Sequence, residues 1–461
     1  MFGRRRPAAE PEGGDRGCGA QKTEDLAFTR EDVAARVRRA EDLVVFREAE
    51  EGKLRSSPPR TGCQDPRRSM SPEARVALAE TQVVARLSPL QKGFQAWEEF
   101  VTFAFRKFGN PVRLWFVMDP DEHMKIGEMQ FARACEEIGY RGGVTALWRY
   151  LDMDGSGHIT LQEIDSASAV RLAKFKRFLN ARFAGSVAQA MRALDLRTER
   201  VPKAHFIAGL RKLGYNESGK KLFDSLVRSA HTSFLLVESM SFLERWNPPP
   251  YLLSDADQVG LGIVKETLGD LYQNLLRAWL HLLDTDRTMR VSWEEWQQAC
   301  RKISKKAPTV AGLPKTEGQM AAVWRALDAD CSGWIALREF DLTSFEALAT
   351  LKRWVDREHC GSVSKVMRML EKQPNSTSFT EEDSKVTSRS MGQPIGISRS
   401  AFRSCLKHDV GMSREHSACL TDGLDIKDDR GVTDMDLKFL ERWDLAWEEE
   451  ALGASIAIDT A

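Results

Sequence analysis

Between Asp152 and Glu163 the chain reads DMDGSGHITLQE, with oxygen recurring at a spacing that can surround one ion. The side chains of Asp152, Asp154 and Ser156 stand at the first, third and fifth positions. The carbonyl of His158 falls at the seventh, Thr160 at the ninth and Glu163 at the twelfth. Carboxylate, hydroxyl and carbonyl oxygens are hard donors, and calcium takes roughly 6–8 of them in flexible geometry. Glu163 can give two oxygens at once and so close the shell from the far end of the loop. Gly157 holds the sixth position, where the chain turns sharply and a Cβ would be strained. A plain polar turn between two helices would have to produce all of these matches together, and is the poorer account.

A second such set lies 176 residues on, from Asp328 to Glu339, reading DADCSGWIALRE. Its donors are Asp328, Asp330, Ser332, the carbonyl of Trp334, and Glu339, with Gly333 at the turn; Ala336 leaves the ninth position to water. A third stretch, DTDRTMRVSWEE, offers Asp284, Asp286, Thr288, the carbonyl of Arg290, and Glu295. Met289 occupies its turn position, where a side chain at positive φ costs about 1–2 kcal/mol, so this is read as a weak site. Replacing Met289 with glycine is expected to relieve that cost. Two further stretches keep fragments of the pattern. One has Asp119 and Asp121 but also His123, Met124 and Gln130; the other has Asp425, Asp429 and Asp436 but Lys427 at its third position. LDLRTERVPKAH and RSAHTSFLLVES have lost the donors altogether.

The elements that must position these donors are legible as a repeat. An apolar residue at the eighth loop position is followed five residues later by the first apolar residue of an outgoing helix. The pairs are Ile126/Phe131, Ile159/Ile164, Val201/Phe206, Leu235/Met240, Val291/Trp296, Ile335/Phe340, Ile397/Phe402 and Val432/Leu437. ALWRYLD before the first complete loop matches AVWRALD before the second, and GSVAQAMRAL matches GSVSKVMRML at the same offset. The chain is therefore a duplication of a four-loop half, in which Asp152–Glu163 is the second of eight loops, Asp284–Glu295 the fifth and Asp328–Glu339 the sixth. Helices are expected over 161–180 and 337–356, following the two complete loops.

These loops are similar to those of calmodulin, and over roughly 95–448 the chain resembles multi-hand members of the EF-hand superfamily. The resemblance implies an all-α fold of two modules, 95–248 and 266–448, each built of paired helix–loop–helix units with a small two-stranded ribbon between paired loops. A linker is expected at 249–265, whose prolines stop the preceding helix and space the modules. A polar insertion spans 371–396, and 449–461 reads as a tail. Residues 1–94 read as an extension, partly disordered, with helices over Thr29–Glu51 and from Ser71–Pro72.

Function follows from the same residues. The implied cofactor is Ca2+, and the leading role is calcium-regulated binding of a protein partner through a newly exposed apolar groove. The alternative is a cytoskeletal or ciliary scaffold stiffened by the ion. The two complete loops, in separate halves, are expected to bind independently. Lys plus Arg and Asp plus Glu are equal at 67 each, which argues against a nucleic-acid partner. Eight cysteines without paired spacing, no apolar leader and no membrane-length run give a soluble, cytoplasmic reading. No catalytic constellation is present, so the chain is read as a non-enzyme. GYNESGKK at 214–221 misses a phosphate loop because Lys221 replaces the hydroxyl and no strand precedes it. Cys405, His408, His416 and Cys419 are spaced as a conceivable zinc set, but both cysteines fall on apolar helix faces.

Overall fold

Short strands are the points from which the helices hang. The computed structural model describes residues 89–193, 200–229, 231–371, 396–425 and 431–445. Within them β1 (Lys125–Gly127) pairs antiparallel with β2 (His158–Thr160), and β3 (Arg200–Pro202) with β4 (Phe234–Leu236). In the second half β5 (Arg290–Val291) pairs with β6 (Ile335–Ala336), and β7 (Gly396–Ser398) with β8 (Gly431–Thr433). The register sets Ile126 opposite Ile159, Val201 opposite Leu235, Val291 opposite Ile335 and Ile397 opposite Val432. All eight are buried. A ribbon this short has no stability of its own, and is held because its central pair points into the core beneath the helices.

The rest of the described chain is mostly helical. In the first half the helices Pro111–Met118 and Glu128–Glu137 flank one loop, and Val144–Leu151 and Leu161–Ile164 flank the next. The helix expected over 161–180 is broken. Leu161–Ile164 ends at Asp165, whose φ of −150° is extended, and whose side chain accepts from Ser168 N at 2.9 Å to start the helix Ser166–Phe183. The same break divides 337–356: Asp341, at φ −149°, accepts from Ser344 N at 3.1 Å and starts Leu342–His359. Both long helices end in a left-handed residue, Ala184 and Cys360. The duplication thus extends to the backbone breaks.

The stretch read as a spacer is packed instead. Pro249 precedes a single helical turn, Pro250–Leu253, which lies against both the first half's Ser166–Phe183 helix and the second half's Glu317–Leu327 helix. Tyr251 is only 6% exposed, and its ring centroid lies 5.3 Å from those of both Trp293 and Trp324. Asp257 then caps the helix Gln258–Tyr272 through Gly260 N at 2.8 Å. One continuous apolar core runs through both halves. The prolines stop a helix as expected, but the apolar residues that follow them are used to join the halves.

No helix among the described residues is long and apolar enough to cross a membrane. The helices expected at Thr29–Glu51 and Ser71–Pro72, nearly all of the 371–396 insertion and the 449–461 tail lie outside the described residues.

Candidate metal centre

Each complete loop enters from a helix that stops at its first aspartate. Asp152 N donates to Trp148 O, and Asp328 N to Trp324 O. The turn then folds over that aspartate's carboxylate. In the second half Ser332 N lies 2.8 Å from Asp328 Oδ1 and 3.0 Å from Asp330 Oδ1, and Gly333 N is 3.3 Å from Asp328 Oδ2. In the first half Ser156 N donates to Asp154 Oδ1 at 2.9 Å and Gly157 N to Asp152 Oδ1 at 3.3 Å. The fifth-position hydroxyls reach the seventh-position carbonyls: Ser156 Oγ to His158 O at 2.9 Å and Ser332 Oγ to Trp334 O at 3.0 Å.

The twelfth-position glutamates return to the loop as helix caps. Glu163 Oε2 accepts from Thr160 N at 2.7 Å and Thr160 Oγ1 at 2.9 Å; Glu339 Oε2 accepts from Ala336 N at 2.9 Å. This brings three carboxylates together in each of three loops: Asp152, Asp154 and Glu163; Asp284, Asp286 and Glu295; Asp328, Asp330 and Glu339. In each set, ligand atoms from all three residues lie within 4.8 Å of one another.

The fifth loop has the same internal bonding. Thr288 N reaches Asp284 Oδ1 at 2.9 Å, Thr288 Oγ1 reaches Arg290 O at 3.1 Å, and Ser292 N reaches Glu295 Oε2 at 3.0 Å. Met289 holds φ +66°, the left-handed backbone expected of it. Its side chain, however, is 1% exposed and belongs to the core.

Crowding these acids away from water makes their charged forms costly. Burial, reinforced by Asp154, pushes Glu163 up to about 8; burial, reinforced by Asp330, pushes Glu339 up to about 9. Burial and the neighbouring Asp286 push Asp284 up to about 7. Asp152 and Asp328 are raised as well, by burial and by the aspartates two residues on. A cation among them would relieve all of these costs together. The donor set consists of oxygen only, which suits a hard divalent ion.

Several residues that matter here escaped the sequence reading. Trp324 Nε1 donates to Asp328 Oδ2 at 3.0 Å and Trp279 Nε1 to Asp284 Oδ2 at 3.2 Å, orienting a candidate ligand from behind. The signal was a tryptophan four or five residues before the first aspartate, in WRALD and WLHLLD. The fourth loop position is left-handed too, as Gly155 (φ +67°), Arg287 (φ +62°) and Cys331 (φ +62°).

The degenerate loops use their remaining charges internally. Asp119 accepts from His123 N at 3.1 Å and Met124 N at 2.7 Å, while Glu122 pairs with Arg228 at 2.6 Å and Arg245 at 3.0 Å. Asp425 is paired with Arg399, and Asp436 accepts from Thr433 N at 2.9 Å. Lys427 and Asp429, and the start of the LDLRTERVPKAH loop, lie outside the described residues.

The GYNESGKK stretch follows the helix Lys203–Lys212, and its Ser218 caps the helix Gly219–Leu226 through Lys221 N at 3.3 Å. Among the described residues Cys405, His408, His416 and Cys419 form no ligand group. Cys419 Sγ instead lies 3.5 Å from Ser344 Oγ.

The two complete loops are not remote from each other, as their separate halves had suggested. Gln162 Nε2 donates to Cys331 O at 2.8 Å, linking the penultimate residue of one loop to the backbone of the other. Arg290 Nη1 lies 2.7 Å from Met153 Sδ, and its guanidinium carbon is 5.0 Å from the Trp334 ring centroid. Comparison with known proteins adds nothing to these contacts: no family model matches the chain, and no curated protein matches it.

Proposed function

We propose that this chain is a calcium-binding protein of the EF-hand kind, with eight helix–loop–helix units in four pairs, which binds a protein partner under calcium control. The observation that carries the reading is the convergence of acids from the first, third and twelfth positions in three loops, with ligand atoms within 4.8 Å. Asp152, Asp154, Ser156, His158, Thr160 and Glu163 would hold one ion, and Asp328, Asp330, Ser332, Trp334 and Glu339 another. Asp284, Asp286, Thr288, Arg290 and Glu295 would hold a weaker third. With three acids per loop, affinities of about 10⁻⁷ to 10⁻⁵ M are expected. Calcium titration by calorimetry tests this directly, with two tighter sites and one weaker as the expected stoichiometry. A flat titration, or four or more equivalent micromolar sites, would reject it.

One observation favours a second reading, a scaffold that calcium stiffens. Glu163 and Glu339 already cap their helices beside the loop aspartates, so little helix movement is needed to complete either shell. Binding of an apolar dye separates the two, because a sensor uncovers surface when calcium is added and a scaffold does not.

A further inference from the structure

One contact between the two complete loops is polar and buried. Gln162 is 7% exposed, with its Nε2 on Cys331 O at 2.8 Å and its Oε1 accepting from the Tyr251 hydroxyl at 3.3 Å. Its counterpart in the duplicated half is Arg338, which is exposed. Position eleven is therefore not buried by the design of the loop itself. It is buried in one half only, because there it faces the other half's loop. The receiving side is shaped to match. Cys331 stands at φ +62°, and a Cβ on Gly333 would come within 3.1 Å of Gln162 Nε2.

Both ends of this link sit inside a ligand set. Gln162 is the neighbour of Glu163, the twelfth-position carboxylate of the second loop. Cys331 lies between Asp330 and Ser332 of the sixth. Tyr251, which completes the link, is buried close enough to Asp328, Glu163 and Asp154 for burial and those three carboxylates to raise its phenol. Buried amide groups pay heavily for losing a partner, so the contact persists while either loop is ordered.

We propose that Gln162 is a positioning residue that couples the two complete calcium sites, so that filling either raises the affinity of the other by about fivefold or more. The proposal rests on the calcium reading. Ordering the sixth loop around its ligands holds the Cys331 carbonyl still, which holds Gln162 and with it the backbone that carries Glu163. The second loop then has less disorder left to lose on binding. Repulsion between two bound ions opposes this. Each set still places three carboxylates against two ionic charges, so the site that fills second remains attractive. Linkage makes the effect reciprocal.

Calorimetry on the full chain tests the coupling with Glu339→Gln, Gln162→Met and the double variant, each titrated with calcium. Glu339→Gln removes the sixth site and should also weaken the second by about fivefold. In the Gln162→Met background the same loss should leave the second site unchanged. Hydrogen exchange over 328–334 in Glu339→Gln, followed as calcium fills the second site, reads the link without altering Gln162, and should slow. A second site indifferent to Glu339→Gln, or unslowed exchange at the sixth loop, overturns the coupling while leaving the calcium reading intact. A native chain that binds no calcium overturns both.

Discussion

Left-handed backbone is demanded twice in each of the three acid-bearing loops, and the residues that meet the demand rank them. The second loop has Gly155 and Gly157, the sixth has Cys331 and Gly333, and the fifth has Arg287 and Met289. At about 1–2 kcal/mol for each non-glycine residue, the order of affinity should be second, sixth, fifth. Cys331→Gly should therefore tighten the sixth site several-fold by calorimetry. Met289→Gly should not behave as the sequence suggests. Its buried side chain contributes about 2–5 kcal/mol to the core, more than the strain relieved, so the melting temperature should fall by several degrees without a new tight site. A stable Met289→Gly chain with a tightened fifth site would restore strain as the limit. Trp324→Phe keeps the packing but removes the N–H that orients Asp328, and should weaken the sixth site about tenfold, touching the second only through the coupling between them.

At the scale of elements, the divided exit helices matter most. Asp165 and Asp341 each end one helix and cap the next, so motion of the short Leu161–Ile164 and Leu337–Phe340 turns need not carry the long helices with it. Asp165→Ala removes the bond to Ser168 N and should cost about 1 kcal/mol in thermal unfolding. Calcium stoichiometry should be unaffected, because no donor to the ion is touched. A lost site in Asp165→Ala would show that the cap also sets the loop.

Across the whole molecule, the crowded acids tie stability to pH. Glu163 at about 8, Glu339 at about 9 and Asp284 at about 7 all lie above their ordinary values of 4.5, 4.5 and 3.8. Without calcium the folded chain then holds protons that the unfolded chain has released. The stability linked to them is present below the ordinary values and lost as pH rises towards about 9. Thermal melts in chelator should show that fall. On the calcium reading proposed above, the ion would displace these protons, so affinity should climb over the same range, and calorimetry near pH 7 in buffers of different ionisation enthalpy should report proton release. Heats independent of buffer would remove the protonated glutamates from the account.

The local geometry was determined by the sequence alone. A ligand set confined to twelve residues, its turn glycine and its one inward apolar residue are short-range features, so the three acid clusters and the four opposed apolar pairs could be read from spacing. The breaks at Asp165 and Asp341 were signalled too, by an aspartate three residues before a serine, but helical periodicity concealed them. Tertiary structure decided what distance along the chain hides. Tyr251 follows three prolines and looks like spacer, yet it is buried between halves because aromatic area gains more from the core than from water. Met289 reads as a misfit in a turn until its side chain is seen in the core. Gln162 and Cys331 are 169 residues apart, and no local pattern could pair them; only the packing of one half on the other brings a buried amide to a turned-out carbonyl.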